Sequence, residues 1–165
     1  MALPTVVFSH GKESGPAGSK ILAMIEVARD FGLATQSIDY RGVDDPDQRV
    51  QMCFDAVNEL EVPPILVGSS MGGYVSTAVA CKTQARAVFV LAPAFGMPSY
   101  TKLAAPDFPL EIVHGWSDDV VPVENSIRFA RENRATLHLV DGDHRLNDSI
   151  NVICNLFRLF LHAHI

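Results

Sequence analysis

Positive charge is in short supply in this chain. Thirteen Lys and Arg face nineteen Asp and Glu, leaving a net charge of -6 at pH 7. A surface of that sign repels phosphate backbones, so no nucleic acid is expected as a partner. Cysteine is scarce too. Cys53, Cys81 and Cys154 form an odd set with neither zinc-site nor thioredoxin spacing. They read as small core residues of a protein from a reducing compartment. The longest apolar runs are only strand-sized, so no membrane span is expected. Met1-Ala2-Leu3-Pro4-Thr5 carries no basic stretch and no cleavage site, which makes a cytoplasmic location the expectation. Internal repeats, low-complexity tracts and linkers are missing as well. What remains is 48% hydrophobic and 19% charged residues over 165 positions. That is a globular composition and suits one domain over residues 1–165.

Apolar runs and helical patterns alternate from end to end. Strands are expected at Thr5–Ser9, Ala34–Asp39, Pro64–Gly68, Ala87–Leu91, Glu111–His114 and Thr136–Val140. They are short and read as apolar on both faces, as buried parallel strands are. Helices are expected near Ser19–Phe31, Pro46–Leu60, Met71–Lys82, Val123–Asn133 and Asn147–His162. Asp45-Pro46 supplies a cap followed by proline at the first helical position. Repeated β-α-β units imply an α/β fold: a three-layer α/β/α sandwich around a six-stranded, mostly parallel sheet. One long irregular segment, 92–109, carries Pro93, Pro98, Pro106 and Pro109. It reads either as a functional loop or as a plain crossover with one short helix.

In such sheets chemistry sits beyond the carboxyl ends of the strands. The third strand runs into Gly68-Ser69-Ser70-Met71-Gly72-Gly73 and a helix follows. This is G-x-S-x-G in the strand–turn–helix setting that its mechanism requires. Glycines relieve the crowding of a sharp turn that lifts the Ser70 hydroxyl above the sheet. The amide of Met71, at a helix start, is then poised for a developing oxyanion. A serine hydroxyl needs a base. His144, in the loop Asp141–Leu146 after the last strand, opens on the same edge as Ser70. The imidazole in turn needs an acid, and Asp118 and Asp119 after the fifth strand compete for that place. The chain order of serine, acid and histidine differs from that of chymotrypsin and subtilisin.

With these residues the chain resembles the α/β-hydrolase superfamily, most closely its small lidless bacterial members of esterase or thioesterase type. His114-Gly115-x-x-Asp118-x-x-Val121-Pro122 is similar to the family's acid loop, a likeness that favours Asp118 over Asp119. His10-Gly11 resembles the family's oxyanion loop. The likeness implies the amide of Lys12 as second oxyanion donor, Glu13 as its substitute, and a structural role for His10. It also implies a minimal fold without a cap domain. Asp44-Asp45 depart from the family's usual small polar run after the second strand.

Two other patterns mimic sites. Gly11–Lys20 is glycine-rich but has the wrong order for a phosphate loop, and Pro16 removes an amide the cradle would use. Asp141, Asp143, His144 and Asp148 match no metal spacing. No metal and no cofactor are therefore expected. Trp116 reads as a packing residue. Phe95, Met97 and Tyr100 suggest a modest apolar pocket for a small-molecule acyl substrate, with an ester, thioester, amide or peptide all compatible. Oligomeric state is open. The rival class is a non-catalytic binding module on the same fold, against which the complete set of Ser70, Asp118 and His144 argues.

Overall fold

A computed structural model describes residues 2–165. Six strands form one sheet: β1 (Val6–Ser9), β2 (Thr35–Ile38), β3 (Ile65–Ser69), β4 (Ala87–Leu91), β5 (Leu110–Gly115) and β6 (Thr136–Val140). Their spatial order is β2-β1-β3-β4-β5-β6, and every neighbouring pair is parallel. The helices are α1 (Ser19–Asp30), α2 (Pro46–Asn58), α3 (Met71–Ala80), α4 (Val123–Asn133) and α5 (Ile150–His164), the last preceded by a 3-10 turn at Asn147–Ser149. The Asp45 carboxylate accepts the Asp47 amide at 2.9 Å, capping α2 ahead of Pro46.

Side chains alternate across the sheet and divide the core in two. Val6, Phe8, Ile65, Val67 and Phe89 face α1 and α5, where Phe157 and Phe160 fill the layer. Val7, Leu66, Val88, Val90 and Ile112 face α2, α3 and α4. Three expectations need correction. The edge strands β2 and β6 are only partly buried, because an edge strand has a neighbour on one side alone and Thr35–Ile38 is mostly polar instead of apolar. Cys53 is buried and the half-buried Cys154 packs against the core, but Cys81 lies partly exposed outside it. The 92–109 segment, which joins adjacent strands β4 and β5, holds no helix.

The strand order reverses at β1. The chain first moves to β2 on one side, then returns to β3 on the other. This opens a crevice at the carboxyl ends of β1 and β3, where Ser9 and Gly68 are register partners. No helix among the described residues is long and apolar enough to cross a membrane.

Candidate active site

Ser70 links β3 to α3 with φ 54° and ψ -119°, a conformation few non-glycine residues adopt. Its neighbours explain how the strain is held. A methyl group on Gly68 would lie 2.1 Å from the Gly72 carbonyl oxygen, and one on Gly72 would lie 1.9 Å from that of Ser9. Only glycine permits this approach of β3, α3 and β1. Backbone bonds finish the turn: the Ser70 amide donates to Leu91 O at 2.9 Å, and the Ser70 carbonyl accepts from Gly73 and Ala94, each at 3.0 Å.

The β5 and β6 loops are joined in the same manner. The Trp116 amide donates to Val140 O at 2.9 Å and the Ser117 amide to Gly142 O at 3.0 Å. A methyl on Gly115 would sit 2.3 Å from Gly142 O. Asp143 accepts the amides of Arg145 and Leu146, each at 3.0 Å. Leu146, at φ 55°, plugs the core behind the turn. This frame delivers His144 between the other two groups. Its Nδ1 lies 2.7 Å from Asp118 Oδ2 and its Nε2 lies 3.0 Å from Ser70 Oγ. With Nδ1–H donating to the carboxylate, Nε2 is left to accept the serine proton.

The Asp118 side chain is shielded from solvent, whereas Asp119 is exposed. Its Oδ1 accepts the amides of Val120 at 2.9 Å and Val121 at 2.8 Å. Burial pushes the Asp118 carboxyl up. The hydrogen bonds from His144, Val121 and Val120 outweigh this and hold it below the ordinary carboxylate value. A further contact was invisible in the sequence: Nε2 of the fully buried His114 is 3.0 Å from Asp118 Oδ2. The same nitrogen lies 3.0 Å from Val121 O, and His114 Nδ1 lies 2.7 Å from Ser126 Oγ on α4. A neutral ring with its proton on Nε2 and the Ser126 hydroxyl donating to Nδ1 satisfies every group. Burial accordingly pulls the His114 pKa down.

Across the crevice, Gly11 abuts the Ser70 turn: a methyl on it would lie 3.5 Å from both Ser69 O and Ser70 Cβ. Among the described residues, neither the Lys12 amide that follows nor the Met71 amide at the start of α3 has a protein acceptor. His10 is buried, with Nδ1 2.7 Å from Gly11 O and Nε2 accepting the Tyr40 amide at 2.8 Å. Arg49, also missed in the sequence, donates to His10 O and Gly11 O at 3.1 and 3.2 Å. Its signal was a lone basic residue on the buried stripe Arg49, Val50, Cys53, Val57 of α2.

Phe95, Met97 and Tyr100 line a groove of about 650 Å³ between the 92–109 segment and α4, with Tyr74, Arg128 and Phe129 as further walls. None of Ser70, Asp118 or His144 lines it. The link is through the backbone, since Ala94 bonds the Ser70 carbonyl and Phe95 follows. Trp116, expected to pack, is 57% exposed beside the acid loop, because the tight β5–β6 closure leaves it no layer to enter. Among the described residues no three His, Cys, Asp or Glu side chains converge as metal ligands.

Residues 5–107 match the uncharacterised protein family UPF0227, a stretch that includes Ser70 and ends before Asp118 and His144. A crystal structure from Xanthomonas campestris pv. campestris, of a protein classed with the hydrolases of the alpha/beta superfamily, is 30% identical. It superposes with a TM-score of 0.93 over 98% of this chain and 99% of its own. Est1E from Butyrivibrio proteoclasticus has the same fold at 18% identity, with a TM-score of 0.81 over 98% of this chain and 88% of that one. The bovine mitochondrial palmitoyl-protein thioesterase ABHD10 is 34% identical over 82 residues, 44% of this chain. The match spans only 27% of that relative's length.

Proposed function

We propose that this chain, which belongs to the uncharacterised protein family UPF0227 and to the α/β-hydrolase superfamily, is a serine hydrolase that cleaves a small acyl ester or thioester. The observation that carries this reading is the relay from Ser70 Oγ through His144 to Asp118, with links of 3.0 and 2.7 Å.

In this reaction His144 Nε2 takes the Ser70 proton as Oγ attacks the acyl carbonyl. Asp118 holds the Nδ1–H tautomer and stabilises the imidazolium that forms. The amides of Met71 and Lys12 receive the oxyanion, a contribution of about 10²–10³ in rate per donor. His144 then returns its proton to the leaving group, leaving an acyl-Ser70 ester. Water attacks that ester with the same base, restoring Ser70 and releasing the acid. The chemistry is complete without a cofactor. The groove lined by Phe95, Met97 and Tyr100 is assigned to the acyl chain: its walls mix these apolar side chains with Lys102, Asn125 and Arg128, and the Ala94–Phe95 backbone connects it to the serine turn. A thioester substrate, with a thiol as leaving group, is favoured by the likeness to a palmitoyl-protein thioesterase.

A fluorophosphonate probe tests the assignment. Stoichiometric labelling mapped to Ser70, abolished by Ser70→Ala, is the expected result. Labelling elsewhere, or none on folded protein, overturns it.

A further inference from the structure

Arg49 is 1% exposed, yet among the described residues no carboxylate lies within 4.0 Å of it. Its Nε donates to Val43 O at 2.6 Å, its Nη1 to His10 O and Gly11 O, and its Cζ sits 5.2 Å from the centre of the Tyr40 ring. Asp44 acts on it only from a distance, and burying a guanidinium without a direct ion pair is costly. Holding carbonyl oxygens alone does not require a charge.

The carbonyl oxygens it holds suggest what the charge is for. Gly11 O and the Lys12 N–H belong to one peptide group. The chain has no cis bonds among its described residues, so the two point in opposite directions. His10 Nε2 accepts the Tyr40 amide, which places the ring proton on Nδ1, and Nδ1 donates to Gly11 O at 2.7 Å. Arg49 Nη1 donates to the same oxygen at 3.2 Å. Two buried donors thus fix the carbonyl end, and the N–H end is fixed by planarity beside Ser70. Donation to a carbonyl also polarises its amide and strengthens the N–H as a donor. A cation does this more strongly than a neutral group.

Resting on the proposed role of Ser70, we propose that Arg49 is a positioning residue for the oxyanion hole. It is a buried cation that holds and polarises the Gly11–Lys12 peptide so that the Lys12 N–H meets the charge developing on the acyl oxygen. Its effect belongs to the transition state, where that charge appears, and not to ground-state binding.

Wild type, Ser70→Ala, Arg49→Lys and Arg49→Gln are compared on p-nitrophenyl acetate. Arg49→Gln is expected to lower kcat by about 10–100-fold, a fraction of what losing a whole oxyanion donor costs, with KM within about threefold. Arg49→Lys, which keeps the charge but not the fork, recovers part of the loss. The inactivation rate by the fluorophosphonate falls by the same factor as kcat. Turnover lost with Ser70→Ala but unchanged in Arg49→Gln overturns the Arg49 assignment alone. A loss confined to KM overturns it too. Turnover that survives Ser70→Ala overturns the serine reading and this inference together. Should neither Arg49 variant fold, wild type labelled with ¹⁵N-arginine decides. The Arg49 Nη resonance shifts when the fluorophosphonate adduct forms, and an unmoved resonance overturns the assignment.

Discussion

His114 and His144 approach the same oxygen of Asp118: Nε2 of the first lies 3.0 Å from Oδ2 and Nδ1 of the second 2.7 Å. The carboxylate is therefore held from both sides, and α4 takes part through the Ser126 hydroxyl at His114 Nδ1. Removing the inner ring should disturb the outer one. His114→Leu leaves Ser126 Oγ and Val121 O without a partner, and each unsatisfied buried group costs about 1–3 kcal/mol. Activity on p-nitrophenyl acetate is expected to fall about tenfold, or roughly 1.4 kcal/mol of transition-state stabilisation. His114→Gln, which keeps a donor, should lose less. Equal kinetics for the two variants would show that the contact to Asp118 contributes nothing.

Two buried rings also set the response to acid. Burial pulls the pKa of both His10 and His114 below the ordinary 6.5. The unfolded chain, with ordinary histidines, then binds more protons than the native one as pH falls below 6.5, so stability declines in that window. Asp118 acts in the same direction at lower pH. Its carboxyl is held below the ordinary 3.8, so its contribution is present above that value and lost as pH drops through the native pKa. Urea midpoints are expected to fall between about pH 6.5 and 5 in wild type and to fall less in His114→Gln. A flat wild-type curve over that range contradicts the reading.

Three glycines stand where another residue cannot. A methyl group would meet a backbone oxygen at 2.1 Å on Gly68, 1.9 Å on Gly72 and 2.3 Å on Gly115. Gly115→Ala is the informative one, since it lies in the β5–β6 closure and away from Ser70. Forcing the acid loop from Gly142 should lengthen the Asp118–His144 contact. A 1 Å misplacement can cost about 10²-fold in rate. The measurement is kcat with circular dichroism to show retained fold, and undiminished kcat in the alanine variant would refute the argument.

The alternation of strand and helix made the sheet, the helices on both its faces and the carboxyl edge legible from the sequence. Gly68 and Gly72 could be read as relief of a sharp turn because G-x-S-x-G stood between a strand and a helix. Other features are set by three-dimensional closeness. Asp118 and Asp119 are adjacent acids that residue type cannot separate; the acid-loop likeness favours Asp118, and the turn of the loop buries it and exposes Asp119. His114 looked like any histidine before a glycine, although its ring reaches α4. Arg49 sat on a helix face whose burial depends on Tyr40 and the His10–Gly11 loop arriving from elsewhere. Trp116 was misread for a related reason: an aromatic beside a strand end suggests packing, yet no layer covers that edge.

The two acids allow a direct comparison. Asp118→Asn removes the carboxylate that faces both His144 and His114, and the amide can present a donor where an acceptor is needed. The wrong tautomer of His144 then follows, with kcat expected to fall by about 10⁴. Asp119→Asn, at an exposed position, should stay within about twofold, the change expected for a surface residue outside any network. Matched losses in both variants, measured as kcat/KM on the same ester, would mean that the loop and not the carboxylate matters.

Acyl preference should be written in the groove. Phe95 is buried against Phe129, with ring centroids 4.3 Å apart, while Tyr74 and Tyr100 meet edge to face at 4.8 Å. Tyr100 therefore forms a half-buried wall whose loss opens the recess without emptying the core. Each methylene that the groove buries is worth about 0.8 kcal/mol, so activity should climb from acetate to longer p-nitrophenyl esters until the recess is full. Tyr100→Ala should shift that optimum toward longer chains and raise KM for the short ones, with kcat nearly unchanged, because the wall touches the chain and not the reacting carbonyl. An enzyme indifferent to chain length in wild type and variant alike would place the acyl group outside this groove.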